Sequence, residues 1–418
     1  MYFFKKVDIA YAAKGGFWAA VRFSVGIATS LATLIAFGNL LPKENYGVYN
    51  YLLSLASALG FLTLTGIGPG IVRAVTRGSE NVIRKALRLQ LVYNLFAVVT
   101  IGFAAIYYGT KGNSVFAASL AILAISIPLE AAFHSYEHVL IGRKRFDLLA
   151  LIASLSAFMA ALTTIVILLF TDSVLILLSG FAVMSVGPSI IAFWYATRNL
   201  PRENPDEKIF AELKRSAFHI TGAGLIGTLA QYIDKVLLFQ IAGPATLAVY
   251  GFATAGPERL KGLLKNWVGI VLPRLAERNI SEIKSVFYHR LILSFGVGTI
   301  FSFSYIVLAP ILFGLFLPKY LDSILYSQVY ALGLIMIPAL VYVGSVFYSQ
   351  NMLRAIYISS TGAQLLRIIL FALFAWLWQI WGLVFAFLLT QVLSILYGVY
   401  VWEKESHRLI NKKQNDKH

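Results

Sequence analysis

The sequence predicts an all-α integral membrane protein of about twelve transmembrane helices, arranged as two six-helix lobes. Three observations carry this. Hydrophobic residues make up 59% of the chain, only 13% are charged, and mean hydropathy is +0.76; soluble domains run near about 45–50% apolar and 25% charged. Apolar stretches of roughly 20 residues, the length a helix needs to cross a bilayer, recur along the whole sequence. A membrane β-barrel would show short alternating segments instead. Finally, one pattern returns in the same register half a chain later.

Taken in order, the spans fall at about 17–39, 48–72, 89–109, 114–134, 148–170 and 174–196, then at about 216–241, 246–272, 291–317, 326–350, 359–379 and 382–402. Residues 1–200 form the first lobe and 201–215 a polar cytoplasmic linker bearing Pro201 and Pro205. Residues 216–402 form the second lobe and 403–418 a basic cytoplasmic tail. Met1 to Gly16 carries Lys5, Lys6 and Lys14 without an apolar core. No cleavable signal peptide is therefore expected, and the first span serves as an uncleaved signal.

Charge distribution orients these spans. Of the 35 Lys and Arg residues, 26 fall on the side that holds both ends of the sequence, only Lys43, Lys111 and Lys319 fall on the other, and 6 lie within spans. This asymmetry places both termini in the cytoplasm and the spans in the cell (cytoplasmic or inner) membrane. It also assigns the +16 net charge to topology and anionic lipid contact rather than to nucleic acid. Trp18, Trp194 and Trp402 near cytoplasmic span ends, with Trp376, Trp378 and Trp381 around the last external turn, read as interfacial aromatic belts. The absence of cysteine excludes disulfides, thiolate metal sites and cysteine nucleophiles.

The repeat lies at the second and eighth spans. Val48-Tyr49-Asn50-Tyr51 and Val249-Tyr250-Gly251-Phe252 each follow a short external loop, and each tyrosine precedes an arginine, Arg73 or Arg274, by 24 residues. Gly68 and Gly269 keep the register. Six spans per half insert both halves the same way, giving a parallel repeat about an axis along the membrane normal.

The eighth span carries Pro257, Glu258, Arg259, Lys261 and Lys265 inside an apolar stretch. A cation at a bilayer centre costs roughly 2.5–3.5 kcal/mol on insertion scales. The cluster therefore points to a polar cavity that admits a negatively charged substrate. Glu258, Lys261 and Lys265 share one helical face, Arg259 sits about 100° away, and Pro257 loosens the helix as a hinge. Arg22 joins the substrate-binding cations. Glu258, Asp234, Lys235 and Arg367 are candidate coupling or structural charges. Snorkelling accounts for Arg22 and Arg367 nearly as well, and simple ion pairing for Asp234, Lys235 and Glu258.

Two motifs invite other chemistry. His134-Ser135-Tyr136-Glu137-His138 matches H-x-x-E-H, a zinc signature whose residues would share a helix face, but no sizeable soluble domain surrounds it to build a hydrolytic cleft. Gly222 to Gly227 matches G-x-G-x-x-G but lies within a span with no preceding strand, so it reads as small residues for helix approach or bending. No metal site is expected, and the short external loops weigh against an enzyme.

Several segments resemble the polysaccharide-export flippases, including O-antigen flippases, of the multidrug/oligosaccharidyl-lipid/polysaccharide exporter superfamily. They are Leu41-Pro42-Lys43-Glu44-Asn45-Tyr46-Gly47-Val48-Tyr49, Gly66-Ile67-Gly68-Pro69-Gly70-Ile71-Val72-Arg73, Asp234 to Leu238, Ala248 to Ala253, Pro273-Arg274-Leu275, and Gly314 to Asp322 with Leu317-Pro318-Lys319-Tyr320. The resemblance implies a V-shaped exporter alternating between inward- and outward-open states. Its substrate would be a polyprenyl-(pyro)phosphate-linked oligosaccharide moved to the outer leaflet for cell-surface polysaccharide synthesis. Arg22, Arg259, Lys261 and Lys265 match the family's cationic cavity by location. No cofactor is implied, although a proton or sodium gradient or the membrane potential would supply coupling. Expected partners are the glycan substrate, membrane lipids and other polysaccharide-assembly membrane proteins. A cation-coupled multidrug antiporter of the same superfamily, using Glu130, Asp234 and Glu258, is the second reading. A membrane polysaccharide polymerase or ligase is the third.

Overall fold

The computed structural model describes residues 9–200, 206–265, 275 and 279–415. Among them no strand forms. The helices are α1 (Ile9–Leu40), α2 (Lys43–Leu59), α3 (Gly68–Thr76), α4 (Ile83–Thr110), α5 (Ser114–Phe133), α6 (Tyr136–Gly142), α7 (Phe146–Phe170) and α8 (Val174–Thr197). They continue as α9 (Glu207–Lys265), α10 (Ile280–Phe316), α11 (Ile324–Ala331), α12 (Ile337–Ser349) and α13 (Leu353–Asn415).

Nine of the described helical stretches are long and apolar enough to cross a membrane, and ten when α2 and α3, bent by 58° at their junction, count as one span. Two of these are double. α9 breaks at Gly243, whose φ of 81° suits a residue without Cβ, and Pro244 then opens the next helix. α13 breaks at Trp378 and Gln379. Each half has the length of a span, so the described helices accommodate the twelve expected spans by length. The expected stretch 266–272 of the eighth span, Gly269 and Arg274 of the repeat, Pro201 and Pro205 of the linker, and 416–418 of the tail lie outside the described residues.

The chain forms two compact units, Met1–Leu229 and Ala230–His418. The division falls within α9 rather than in the stretch 201–215, because the first turns of α9 pack into unit 1. Leu213 and Ala217 join its core with Leu64, Ile71, Val82 and Tyr136. The Gly66 N–H donates to Thr221 Oγ1 at 3.0 Å, and Arg73 Nη2 donates to Ser216 Oγ at 2.6 Å. Lys85 pairs with Glu207. A Cβ on Gly66 would stand 2.5 Å from the Ala217 carbonyl oxygen, so this backbone approach requires glycine. Within unit 1, α4 packs along α5, α5 along α8 and α1 along α7.

Unit 2 packs α10 and α12 with α13. Its core is built on Phe287, Tyr342, Phe347 and Trp402. Trp402 stacks on Phe287 with centroids 4.8 Å apart and is wholly buried, so it is a core residue and not part of the expected belt. Trp194, Trp376 and Trp378 are exposed, as belt residues should be.

Candidate functional site

Unit 2 holds a cavity of about 450 Å³ that Lys261, Lys265 and Arg367 line together. Three cations reach it from the second half of α9 and from α13. The remaining wall mixes apolar side chains with Ser345, Ser359, Gln364, Thr390 and Gln391. A buried ammonium needs compensation, and Lys261 has two sources. Its Nζ donates to both carboxylate oxygens of Glu258, at 2.7 and 2.9 Å, one helical turn earlier. It also lies 5.2 Å from the centroid of the Phe387 ring. Phe387 stacks at 4.1 Å on Tyr330, whose hydroxyl donates to Glu258 Oε1 at 2.5 Å. Lysine, carboxylate, phenol and ring thus form a closed circuit. Within it Glu258 remains 41% exposed while Lys261 is 11% exposed, so the acid is the more accessible partner.

Asp234 is buried behind this cluster. Its Oδ2 accepts from Tyr250 at 2.8 Å, and its Oδ1 has no hydrogen-bond partner among the described residues. Arg367 lies in electrostatic reach of Asp234, Tyr250, Tyr330 and Glu258, and rests 4.8 Å from the Phe371 centroid. Of the four charges expected as coupling or structural groups, Glu258, Asp234 and Arg367 therefore meet one aromatic–acid network.

Other expected residues fall elsewhere. Arg259 is half-buried, donates from Nη1 to the Ala255 carbonyl at 2.8 Å and lies in reach of Tyr305. It is not among the described residues that line the cavity. Lys235 is half-buried on α9 and is likewise not among them. Pro257 is buried, and α9 keeps helical dihedrals through it; the break is at Gly243. Tyr305 packs directly on Gly256, which leaves no room for a side chain there.

Arg22 belongs to a separate cavity of about 370 Å³ inside unit 1. Its Nη2 donates to Glu137 Oε1 at 2.5 Å, and His134 Nε2 lies 3.2 Å from the same oxygen. The H-x-x-E-H motif therefore has a structural role, but not on one continuous helix. The chain turns at His134 and Ser135, between α5 and α6. His138 packs instead against Gly68. Among the described residues no group of acids and histidines is arranged to hold a metal ion. Gly222, Gly224 and Gly227 lie within α9, with open space where a Cβ would stand, so the expected close helix approach is not made there.

Sequence reasoning found the charges and missed Tyr330, Phe387 and Tyr250. Tyrosine and phenylalanine are ordinary in apolar spans, and only the packing shows which rings touch a charge.

The protein so described is a multi-pass, all-helical membrane protein with a cation-lined cavity inside its second unit. Its fold is that of MOP superfamily transporters. It is similar to an inward-facing multidrug resistance MATE family transporter, with a TM-score of 0.64 at 15% identity over 92% of this chain and 98% of that one. It is also similar to the lipid II flippase MurJ in its inward closed conformation, with a TM-score of 0.59 at 14% identity over 93% and 87% of the two chains. A MOP superfamily transporter from Pyrococcus furiosus gives 0.57 at 15% identity over 93% and 96%. Identities this low establish fold alone. No curated protein matches the sequence. Residues 12–278 match the polysaccharide biosynthesis protein family, and the chain belongs to that family.

Proposed function

We propose that the protein is a flippase that carries polyprenyl-(pyro)phosphate-linked oligosaccharide from the cytoplasmic to the outer leaflet of the cell membrane, for cell-surface polysaccharide synthesis. Both termini face the cytoplasm. The observation that carries this reading is the joint presence of Lys261, Lys265 and Arg367 on one intramembrane cavity in a member of the polysaccharide biosynthesis family. The Arg367 guanidinium suits bidentate contact with phosphate oxygens, and the two lysines add point charge. Likeness of fold to a lipid II flippase supports the substrate class. Other polysaccharide-assembly membrane proteins are its expected partners, and a proton or sodium gradient or the membrane potential its driving force. It acts as a transporter and not as an enzyme.

Glu258 provides a release mechanism. An arriving phosphate replaces its carboxylate on Lys261, and Tyr330 holds the displaced acid by a hydrogen bond, so Lys261 is paired before and after binding. Purified protein in liposomes tests this with a polyprenyl-pyrophosphate-linked oligosaccharide. Joint Lys261→Ala and Arg367→Ala substitution should slow translocation by about 100-fold, the scale expected for removing buried charge contacts. Unchanged translocation would overturn the assignment. The cation-coupled drug antiporter remains the second reading because Asp234 is buried with one oxygen unpartnered among the described residues. Drug resistance on expression, lost with Asp234→Asn, would favour it.

A further inference from the structure

We propose that the cavity inside unit 1 is a sugar subsite, taking a neutral, polyhydroxylated group of hexose size. This rests on the reading of the protein as a carrier of lipid-linked glycan, and it names the part of the substrate that unit 1 recognises. The cavity's volume of about 370 Å³ lies in the range of small-molecule sites. Arg22, Glu130, His134 and Glu137 line it, and Ser156, Thr164, Ser185 and Ser189 add hydroxyls from α7 and α8.

Its single arginine faces two carboxylates, so it holds no excess of positive charge. Glu137 takes the Arg22 guanidinium at 2.5 Å and meets His134 at 3.2 Å, while Glu130 is in hydrogen-bonding reach of Ser185. A phosphate here would meet two carboxylates beside one guanidinium, whereas the unit 2 cavity is lined by three cations. There is also no uncompensated acid pair with an aromatic cage of the kind that holds an organic cation.

What remains is a dense set of hydrogen-bonding groups of both kinds. Thr164 and Ser189 donate to the carbonyls of Ala160 and Ser185, so their lone pairs stay available as acceptors. Arg22 has further N–H groups to donate. Gly26, Ala153, Ala157 and Ala160 supply the space, and Phe181 an apolar wall. Sugar hydroxyls each donate and accept, so a rigid mixed lining matches them. A site built in this way discriminates strongly by hydroxyl pattern, because a missing partner leaves a polar group unpaired.

The test uses the full chain in nanodiscs and saturation-transfer NMR, with glucose, galactose, mannose and N-acetylglucosamine as probes beside inorganic pyrophosphate and tetraphenylphosphonium. At least one sugar should bind. Ser156→Phe, which fills the cavity, should weaken that binding by about tenfold or more, and Ala157→Leu should do the same should the phenylalanine variant not fold. Neither should change pyrophosphate binding, which Lys261→Ala with Arg367→Ala should remove. Absence of sugar binding, sugar binding that survives both fillings, or tetraphenylphosphonium in place of sugar would each overturn the subsite. If pyrophosphate binds and glycolipid moves while no sugar engages unit 1, the subsite fails and the flippase stands. If sugar occupies unit 1 but lipid-linked glycan is not moved, the flippase reading fails and the subsite stands.

Discussion

Gly60 in unit 1 and Lys261 in unit 2 hold the same place in the sequence repeat, 201 residues apart. The same offset sets Pro42 against Gly243, and both mark the start of a new helix after a break. Beyond that shared start the two copies diverge. In unit 1 the positions matching Glu258, Arg259, Lys261 and Lys265 are Ser57, Ala58, Gly60 and Leu64. There α2 ends at Leu59, and the chain bends before α3. In unit 2 the helix continues to Lys265. One scaffold thus carries an apolar bend in one lobe and a charged, continuous helix in the other. Charge in unit 1 sits instead on α1 and around the α5–α6 turn, paired as Arg22 and Glu137. A duplicated fold keeps its breaks, which set topology, and is free to change what lines each cavity.

This contrast can be broken in four ways. The largest effect is expected from Lys261→Glu, which sets two carboxylates one turn apart beside Tyr330. Transport in proteoliposomes should fall by more than about 100-fold. Next, Gly60→Lys places the unit 2 cation in the unit 1 bend, where Gly60 is buried with Ile127 3.3 Å from a Cβ. It should destabilise the protein by about 3 kcal/mol, read as a lower melting temperature, without creating a second pyrophosphate site. Tyr250→Phe removes the hydroxyl that donates to Asp234 Oδ2 and should cost about 1–3 kcal/mol in the same measurement. The smallest effect belongs to Arg77→Ala. Its pair with Glu212 at 3.2 Å is more than half exposed on both sides, and its loss should cost less than about 1 kcal/mol. A large loss there would show that the contact of early α9 with unit 1 depends on charge, not on Leu213 and Ala217.

Much of this was readable beforehand. Helix number follows from hydropathy, because lipid forces every backbone group into an internal hydrogen bond and so leaves a long apolar run one choice. The charges Lys261, Lys265 and Arg367 stand out because cations in lipid are costly. Their grouping was less legible. Periodicity put Lys261 and Lys265 on one face, but Arg367 lies about a hundred residues on, and only packing brings α13 beside α9. The same packing leaves Arg259 off the cavity lining, although its sequence position is the most central. Arg22 found Glu137 across 115 residues, which no local spacing announces.

By itself, then, the sequence determined that the chain is an all-helical, multi-pass membrane protein, where its long apolar stretches lie, that the halves repeat, and that some side chains must escape lipid. These follow from transfer free energies that act residue by residue. Tertiary structure alone decided which charges meet, which rings hold them, that α9 begins in unit 1, and that the two cavities differ in charge. Those depend on distances between helices remote in sequence, and a contact of a few ångströms is set by packing, which the order of residues does not display.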